Sequence, residues 1–129
     1  DRLVSATGHP PVRVNRRESI DGADTFTEGT VFEAGALRIE SRLTHGHSPG
    51  GTTYLVEGLP ESVAIVGDAL FCYSIGGASG HFETALEAIR RQILSLPEAT
   101  LLCPGHGPMT TVGEEKAHNP FFPEYQPAS

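Results

Sequence analysis

The chain has 129 residues, a formal net charge of −7, and 15 glycines and 10 prolines. This length allows one small domain, and the glycine and proline content predicts short elements joined by sharp turns. The acidic balance argues against nucleic-acid binding, which requires a basic surface. No apolar run approaches the roughly 18 residues of a membrane-spanning helix. We therefore expect neither a nucleic acid nor a membrane as a partner.

Strand patterns dominate the first half of the chain. Alternating apolar and polar residues predict a short strand at 10–15 and a longer, half-buried strand at 36–45. The segment 21–29 between them is rich in turn-forming residues. A third strand is predicted at 51–58, where a Gly-Leu-Pro sequence ends it.

A short apolar run and a helix follow. The run at 62–68 is typical of a strand that is buried on both faces. The segment 81–98 is predicted to be the main helix, because its apolar side chains recur at helical spacing. Pro97 would end this helix.

The last elements are a strand and a short helix. The strand at 100–103 runs into a Pro-Gly turn. Thr111 is followed three residues later by Glu114, which is a capping-box pattern for a short closing helix. Asn119-Pro120 would end it.

Three candidate metal ligands each follow a predicted strand. His47 follows the strand at 36–45, Asp68 follows 62–67, and His106 follows 100–103 between two glycines. Functional residues gather at strand ends, where the backbone is fixed and the next loop can present a side chain. Imidazole and carboxylate are zinc-type ligands. Each residue alone could be a solvated turn residue, but the shared placement favours a metal site.

The sequences THGHSPGGT, VGDALF and CPGHGPMTT, in this order, resemble the metallo-β-lactamase superfamily, with the glyoxalase II (hydroxyacylglutathione hydrolase)-like hydrolases as the nearest match. The resemblance covers roughly residues 20–122. It implies an α/β fold, namely the second half of the αβ/βα sandwich. That half has a mixed sheet, one main helix and a short C-terminal helix.

The resemblance also implies roles for the three candidates. His47 resembles the third histidine of the first metal site, Asp68 the carboxylate between two metals, and His106 the histidine of the second site. His45 stands where the family motif has proline, so it is not expected to be a ligand. In the family, the metals activate a bridging water as hydroxide, which attacks a carbonyl or similar centre.

Two family features are missing. The motif His-x-His-x-Asp-His, which supplies the other ligands, is absent, so residues 1–129 are expected to form a single partial domain without the N-terminal half. The chain starts with Asp1, which indicates trimming or a longer parent protein. The segment after VGDALFCYSIGG also lacks the Arg and Asp of many glyoxalase II-like members, which leaves the substrate class open.

The function expected from the resemblance is part of a metal-dependent hydrolase. It would act on an ester, thioester or related bond of a small-molecule substrate, with one or two Zn²⁺, Fe or Mn ions in the complete fold. The isolated chain is expected to be inactive until an N-terminal half is supplied. The alternatives are a non-catalytic half-fold that binds a partner, and a single-metal hydrolase formed by two copies across the exposed sheet face.

Cys72 and Cys103 are expected to be reduced and buried, in a cytoplasmic protein.

Overall fold

A computed structural model describes residues 2–128, apart from the side chain of Leu3, so the predicted domain range 1–129 exceeds it by one residue at each end. The helices are α1 (Arg2–Ala6), α2 (Phe82–Gln92) and α3 (Val112–His118), with a 3₁₀ turn at Pro123–Tyr125. None of these helices is long and apolar enough to cross a membrane. The strands are β1 (Arg13–Asn15), β2 (Asp24–Phe26), β3 (Val31–Ala34), β4 (Leu37–Leu43), β5 (Thr52–Glu57), β6 (Val63–Gly67), β7 (Leu70–Phe71), β8 (Ser74–Ile75), β9 (Leu101–Pro104) and β10 (Thr110–Thr111).

Six of these strands form the main sheet. The strand order is β10-β9-β6-β5-β4-β3, and every neighbouring pair is antiparallel except β6 and β9. The short strands β1 and β2 pair in parallel, and β7 and β8 form a hairpin after β6. The result is the mixed sheet with one main helix and a short C-terminal helix that the sequence predicts.

The strand directions bring the three predicted ligands to one edge of the sheet. Because β5 is antiparallel to both β4 and β6, these two strands run in the same direction, and β9 runs parallel to β6. The carboxyl ends of β4, β6 and β9 therefore lie at the same edge. His47, Asp68 and His106 follow these three ends.

The core lies between one face of the sheet and the helices α2 and α3. In α2 the buried residues recur at helical spacing, with Ala85, Leu86, Ala88 and Ile89 turned inward. Leu55, Ala64 and Leu102 face them from neighbouring strands. This packing fixes β6 and β9, and with them the loops that carry Asp68 and His106.

The prediction that the strand at 62–68 is buried on both faces is wrong. Ala64 and Val66 face the helices and are almost fully buried, but the alternate residue Ile65 is 47% exposed. The helices cover only one side of the sheet. Cys103, which pairs with Ile65, lies on the same uncovered side. We call this side, carrying Ile39, Tyr54, Ile65 and Cys103, the open sheet face.

The main helix ends earlier than predicted, at Gln92 instead of 98. The N–H of Leu94 bonds to the carbonyl oxygen of Ile89, five residues earlier, and the chain leaves the helix. In a continuous helix Leu94 would point about 140° away from Ile89, because each residue turns the chain by 100°. The early end instead buries both Ile93 and Leu94 in the core.

The remaining predicted elements are confirmed within one to three residues at each end. The capping box is formed, because Thr111 Oγ1 accepts a hydrogen bond from the N–H of Glu114 at 3.1 Å. The segment 21–29, predicted as turn, contains the short strand β2. Phe26 is its buried residue, and its ring packs edge-on against Phe32 at 5.1 Å. Pairing with β1 and this ring contact outweigh the turn-forming composition of the segment.

Both cysteines are free thiols, as expected, but neither is fully buried. Cys72 lies in the two-residue turn of the β7–β8 hairpin, where little can cover it. Cys103 lies on the open sheet face, with its sulfur 3.6 Å from that of Met109. Each cysteine is therefore partly exposed because of the element in which it lies, a hairpin turn for Cys72 and an uncovered sheet face for Cys103.

The buried carboxylate of Glu115 joins α3 to the β7–β8 hairpin. It is fully buried and accepts hydrogen bonds from Thr110 Oγ1 at 2.7 Å, from Tyr73 N at 2.8 Å and from Asn119 Nδ2 at 2.9 Å. Asn119 Nδ2 also donates to the carbonyl oxygen of Ser74. Tyr73 has a left-handed backbone with φ of 62°, which an L-residue adopts at a cost. The network thus holds a strained turn in place.

We predict that Glu115→Ala lowers the free energy of unfolding by about 3 kcal/mol, because three donors, two of them buried, lose their acceptor. Urea unfolding followed by circular dichroism would measure the change. The matched control is Glu114→Ala, which removes an exposed carboxylate and is expected to cost at most about 1 kcal/mol. Equal effects of the two substitutions would contradict a structural role for the network.

Candidate metal centre

Asp68 lies between the two predicted histidine ligands. Its Oδ1 is 2.8 Å from Nδ1 of His106, and its Oδ2 is 3.6 Å from Nε2 of His47. The Asp68 side chain is 30% exposed, so it is partly shielded from water but still accessible. The three candidate ligands are therefore neighbours in space, arranged in a row with the carboxylate in the middle.

The hydrogen bond made by His47 determines which of its nitrogens is available. Nδ1 lies 2.7 Å from the carbonyl oxygen of Gly77. A carbonyl only accepts, so Nδ1 carries the proton and the neutral ring has its lone pair on Nε2. That lone pair faces Asp68 Oδ2 at 3.6 Å, too far for a hydrogen bond. Two electron-rich atoms facing each other across this gap suit a cation between them. The carbonyl of Gly77 is the kind of acceptor to which metal-bound histidines usually donate their second ring N–H.

His106 is oriented by a carboxylate and an aromatic ring. Because a carboxylate accepts, the 2.8 Å contact with Asp68 is a hydrogen bond donated by Nδ1, which leaves Nε2 with its lone pair. The ring of Phe71 packs edge-on against the imidazole at 5.8 Å. The His106 side chain is 76% exposed, so Nε2 is open to solvent.

Two glycines make room for Asp68. A Cβ on Gly105 would lie 2.3 Å from Oδ1 of Asp68, and one on Gly76 would lie 1.7 Å from the carbonyl oxygen of Asp68. No real Cβ approaches so closely, so any side chain at either position would displace the aspartate. Gly105 also donates its N–H to the carbonyl oxygen of Gly67 at 2.8 Å, which joins the ends of β6 and β9.

The row of residues does not by itself enclose a single ion. Within residues 2–128, no group of three or more His, Cys, Asp or Glu side chains is arranged to hold a metal. The reason is visible in the geometry, since His47 and His106 contact opposite oxygens of Asp68. The donor set fits metal binding chemically, but each imidazole would serve a different position.

His45 is turned away from this row. Its Nδ1 is buried and has no hydrogen-bond partner in the described part of the chain. The residue borders two cavities, and Asp68 lines neither of them. The next residue, Gly46, has φ of 138° and packs against Ala85, which a Cβ on Gly46 would approach to 2.4 Å. The close contact with α2 thus fixes the loop so that His47, and not His45, faces Asp68.

A cavity of about 830 Å³, which no sequence pattern indicates, lies beside the row. Its lining includes His47, His45, Arg17, Ser79 and His81, which come from three separate segments. No sequence motif contains Arg17, Ser79 or His81. Their convergence depends on how the loop after β4 meets the start of α2.

Arg17 is held at this cavity by an ion pair. Its guanidinium donates to Glu28 Oε1 at 2.9 Å, and Arg16 lies 3.7 Å from the same oxygen. A hydrogen bond from the backbone of Glu28 itself, together with the one from Arg17, lowers the pKa of the Glu28 carboxyl to about 2. Glu28 is therefore ionised at neutral pH, and two arginines share its single charge.

Comparison with known proteins identifies relatives of this chain. No protein-family model matches it. YqgX of Bacillus subtilis, a probable metallo-hydrolase, is 41% identical over 104 residues, which are 78% of this chain and 48% of that protein. GloC of Haemophilus influenzae, a hydroxyacylglutathione hydrolase, is 34% identical over 98 residues, 74% of this chain and 45% of that protein. The chain spans about half the length of these curated relatives.

Solved structures agree with the fold. The B3 metallo-β-lactamase BLEG-1 matches with a TM-score of 0.84 and 32% identity, over 93% of this chain and 68% of that chain. TTHA1623, solved in a di-iron-bound form, matches with a TM-score of 0.74 and 27% identity, also over 93% of this chain and 68% of that chain. With these matches, the chain belongs to the metallo-β-lactamase superfamily, and a hydroxyacylglutathione hydrolase is among its relatives.

Proposed function

We propose that this chain supplies the C-terminal half of the metal centre of a hydrolase that cleaves an ester, thioester or related bond in a small molecule. The observation that carries the proposal is the row His47–Asp68–His106, in which one carboxylate faces two imidazoles through different oxygens. Such a carboxylate is suited to lie between two cations. Membership of a superfamily whose relatives include metallo-hydrolases supports the same reaction class.

Each residue has a distinct part in this proposal. His47 would bind one ion through Nε2, because Nδ1 is committed to Gly77. Asp68 would bind between the two positions, and His106 would bind the second ion. When bound, Zn²⁺, Fe or Mn would supply a nucleophilic water at neutral pH and stabilise developing negative charge. Imidazole and carboxylate donors suit all three metals, so the donor set leaves the choice among them open.

The rest of the ligand set would have to come from outside the described residues. The open sheet face carries Ile65 at 47% exposure beside Tyr54 and Ile39, which line a further apolar cavity of about 270 Å³. Apolar surface of this kind is normally covered by another layer of the fold. We propose that an N-terminal half, or a second copy of the chain, packs there.

The alternative function is a non-catalytic half-fold that binds a partner through this face. It is favoured by the absence of a single-ion site within residues 2–128. The two functions differ in whether the row of ligands binds metal at all.

We predict weak zinc binding by the 129-residue chain, measurable by calorimetry. His47→Ala, Asp68→Ala and His106→Ala should each lower the affinity at least about tenfold, because each removes a ligand. His45→Gln is the matched control and should leave the affinity unchanged. Zinc binding that depends on His45, or none at all, would contradict the proposed centre.

We also predict that Gly105→Ala weakens zinc binding at least about tenfold while the chain stays folded. The added methyl group would displace the Asp68 carboxylate from its position between the imidazoles. Gly113→Ala in α3 is the control, because the nearest neighbours of a Cβ there would be atoms of Glu98, which is not part of the ligand row. Calorimetry would give the affinities and circular dichroism the folded state. Equal affinities for the two variants would show that the glycine does not position the carboxylate.

A third prediction concerns the open sheet face. Without an N-terminal half, the purified chain should self-associate in sedimentation experiments, and Ile65→Lys should reduce association by placing a charge in the contact. Leu59→Lys is the control, since Leu59 is 44% exposed but lies in the turn between β5 and β6. A monomeric unsubstituted chain at all concentrations would rule out the second copy as the covering layer.

A further inference from the structure

Although the chain is acidic, no aspartate or glutamate within residues 2–128 lines the 830 Å³ cavity. Its polar lining consists of one guanidinium, three imidazoles and three hydroxyl groups. A neighbouring cavity of about 550 Å³ shares His45 and Thr84 with it, but its charged lining consists of three glutamates and one arginine, namely Glu28, Glu83, Glu87 and Arg91. The two cavities that His45 borders therefore differ in charge. Of these two, only the 830 Å³ cavity lacks carboxylates.

Arg17 gives this cavity its permanent positive charge. Glu28 balances only part of it, because Arg16 approaches the same carboxylate oxygen. Two other acidic residues contact the loop, but neither lines the cavity. Glu18 accepts a hydrogen bond from the N–H of Gly50, and Asp68 faces His47 Nε2 at 3.6 Å. A guanidinium at a cavity wall binds carboxylates through charge-assisted hydrogen bonds.

The cavity adjoins the candidate metal centre. His47 lines both this cavity and the small cavity that contains Asp68. A molecule in the larger cavity would therefore extend toward the gap between His47 and Asp68, where the proposed metal centre lies. The volume is within the range of small-molecule sites, about 300–1,000 Å³.

We infer that this cavity binds the negatively charged end of the substrate, with Arg17 as its anchor. The substrate class is then an ester or thioester that also carries a carboxylate, with its scissile bond directed toward His47. This inference rests on the proposed function for the reaction, but the anion site depends on the cavity residues alone.

The test compares two thioesters that differ only in charge, 4-(acetylthio)butanoate and 4-(acetylthio)butanamide. Each is titrated into the ¹⁵N-labelled 129-residue chain, in chelator and again with zinc. We expect the acid to bind about tenfold more tightly than the amide, as one charge-assisted hydrogen bond would give. The shifted amide signals should belong to residues 46–48 and 77–84.

Two pairs of variants locate the charge. Arg17→Gln should abolish the preference for the acid, whereas Arg16→Gln, which removes a neighbouring arginine that does not line the cavity, should keep it. Ser79→Glu should also abolish the preference by placing a carboxylate at the cavity, and Ser79→Gln should not. Ser79 is exposed, so this second pair remains informative even if Arg17→Gln disturbs the ion pair with Glu28.

Equal binding of the two probes, or no saturable shift with either, would overturn the inference. It would also be overturned if the preference appeared only with zinc and survived both Arg17→Gln and Ser79→Glu, because the carboxylate would then be bound by the metal. That result would leave the proposed function standing. Conversely, a preference that persists in a chain without zinc binding would support the anion site and argue against the proposed hydrolase.

Discussion

The carboxylate of Glu115 holds together the part of the molecule on which the candidate centre depends. It is fully buried, and its acceptor positions are used by a hydroxyl, an amide and a backbone N–H from three segments. One of these segments is the β7–β8 hairpin, which runs from Asp68 toward Gly76 and Gly77. The hairpin has only four paired residues of its own, so α3 supplies the stability that its hydrogen bonds alone would not give.

The same hairpin determines the chemistry of His47. Gly77 lies just beyond it, and its carbonyl fixes the tautomer of the imidazole. Gly76 allows the chain to pass within contact distance of the Asp68 backbone. The network around Glu115 therefore holds the hairpin, and the hairpin leads to the carbonyl that sets which nitrogen of His47 faces Asp68. The orientation of the ligands is a property of the backbone more than of the ligand side chains.

The sequence was sufficient to predict four strands of the main sheet, β4, β5, β6 and β9, and the residues that follow them, but not the short edge strands β3 and β10. Alternation and helical spacing are local signals, and the strand ends then indicated where His47, Asp68 and His106 would meet. The early end of α2 could not be predicted, because the burial of Leu94 depends on the sheet it packs against. The exposure of Ile65 was missed for a related reason, since an apolar run does not show whether one or two layers cover it. The cavity at Arg17 depends on segments far apart in sequence, and no spacing rule could reveal it.

The pairing of β6 with β9 has a consequence for how the molecule forms. Asp68 and His106 are 38 residues apart, and they meet only when this parallel pair closes around the intervening hairpin and α2. Parallel pairing of this kind requires a crossover, so its loop-closure entropy is lost before its contacts are gained. The backbone hydrogen bonds of α2 are local, so this helix can begin to form early, whereas the hairpin also needs its contacts with Glu115 and Asn119. The row of ligands would then be among the last features to appear during folding, and an ion would bind a nearly completed chain instead of guiding its assembly.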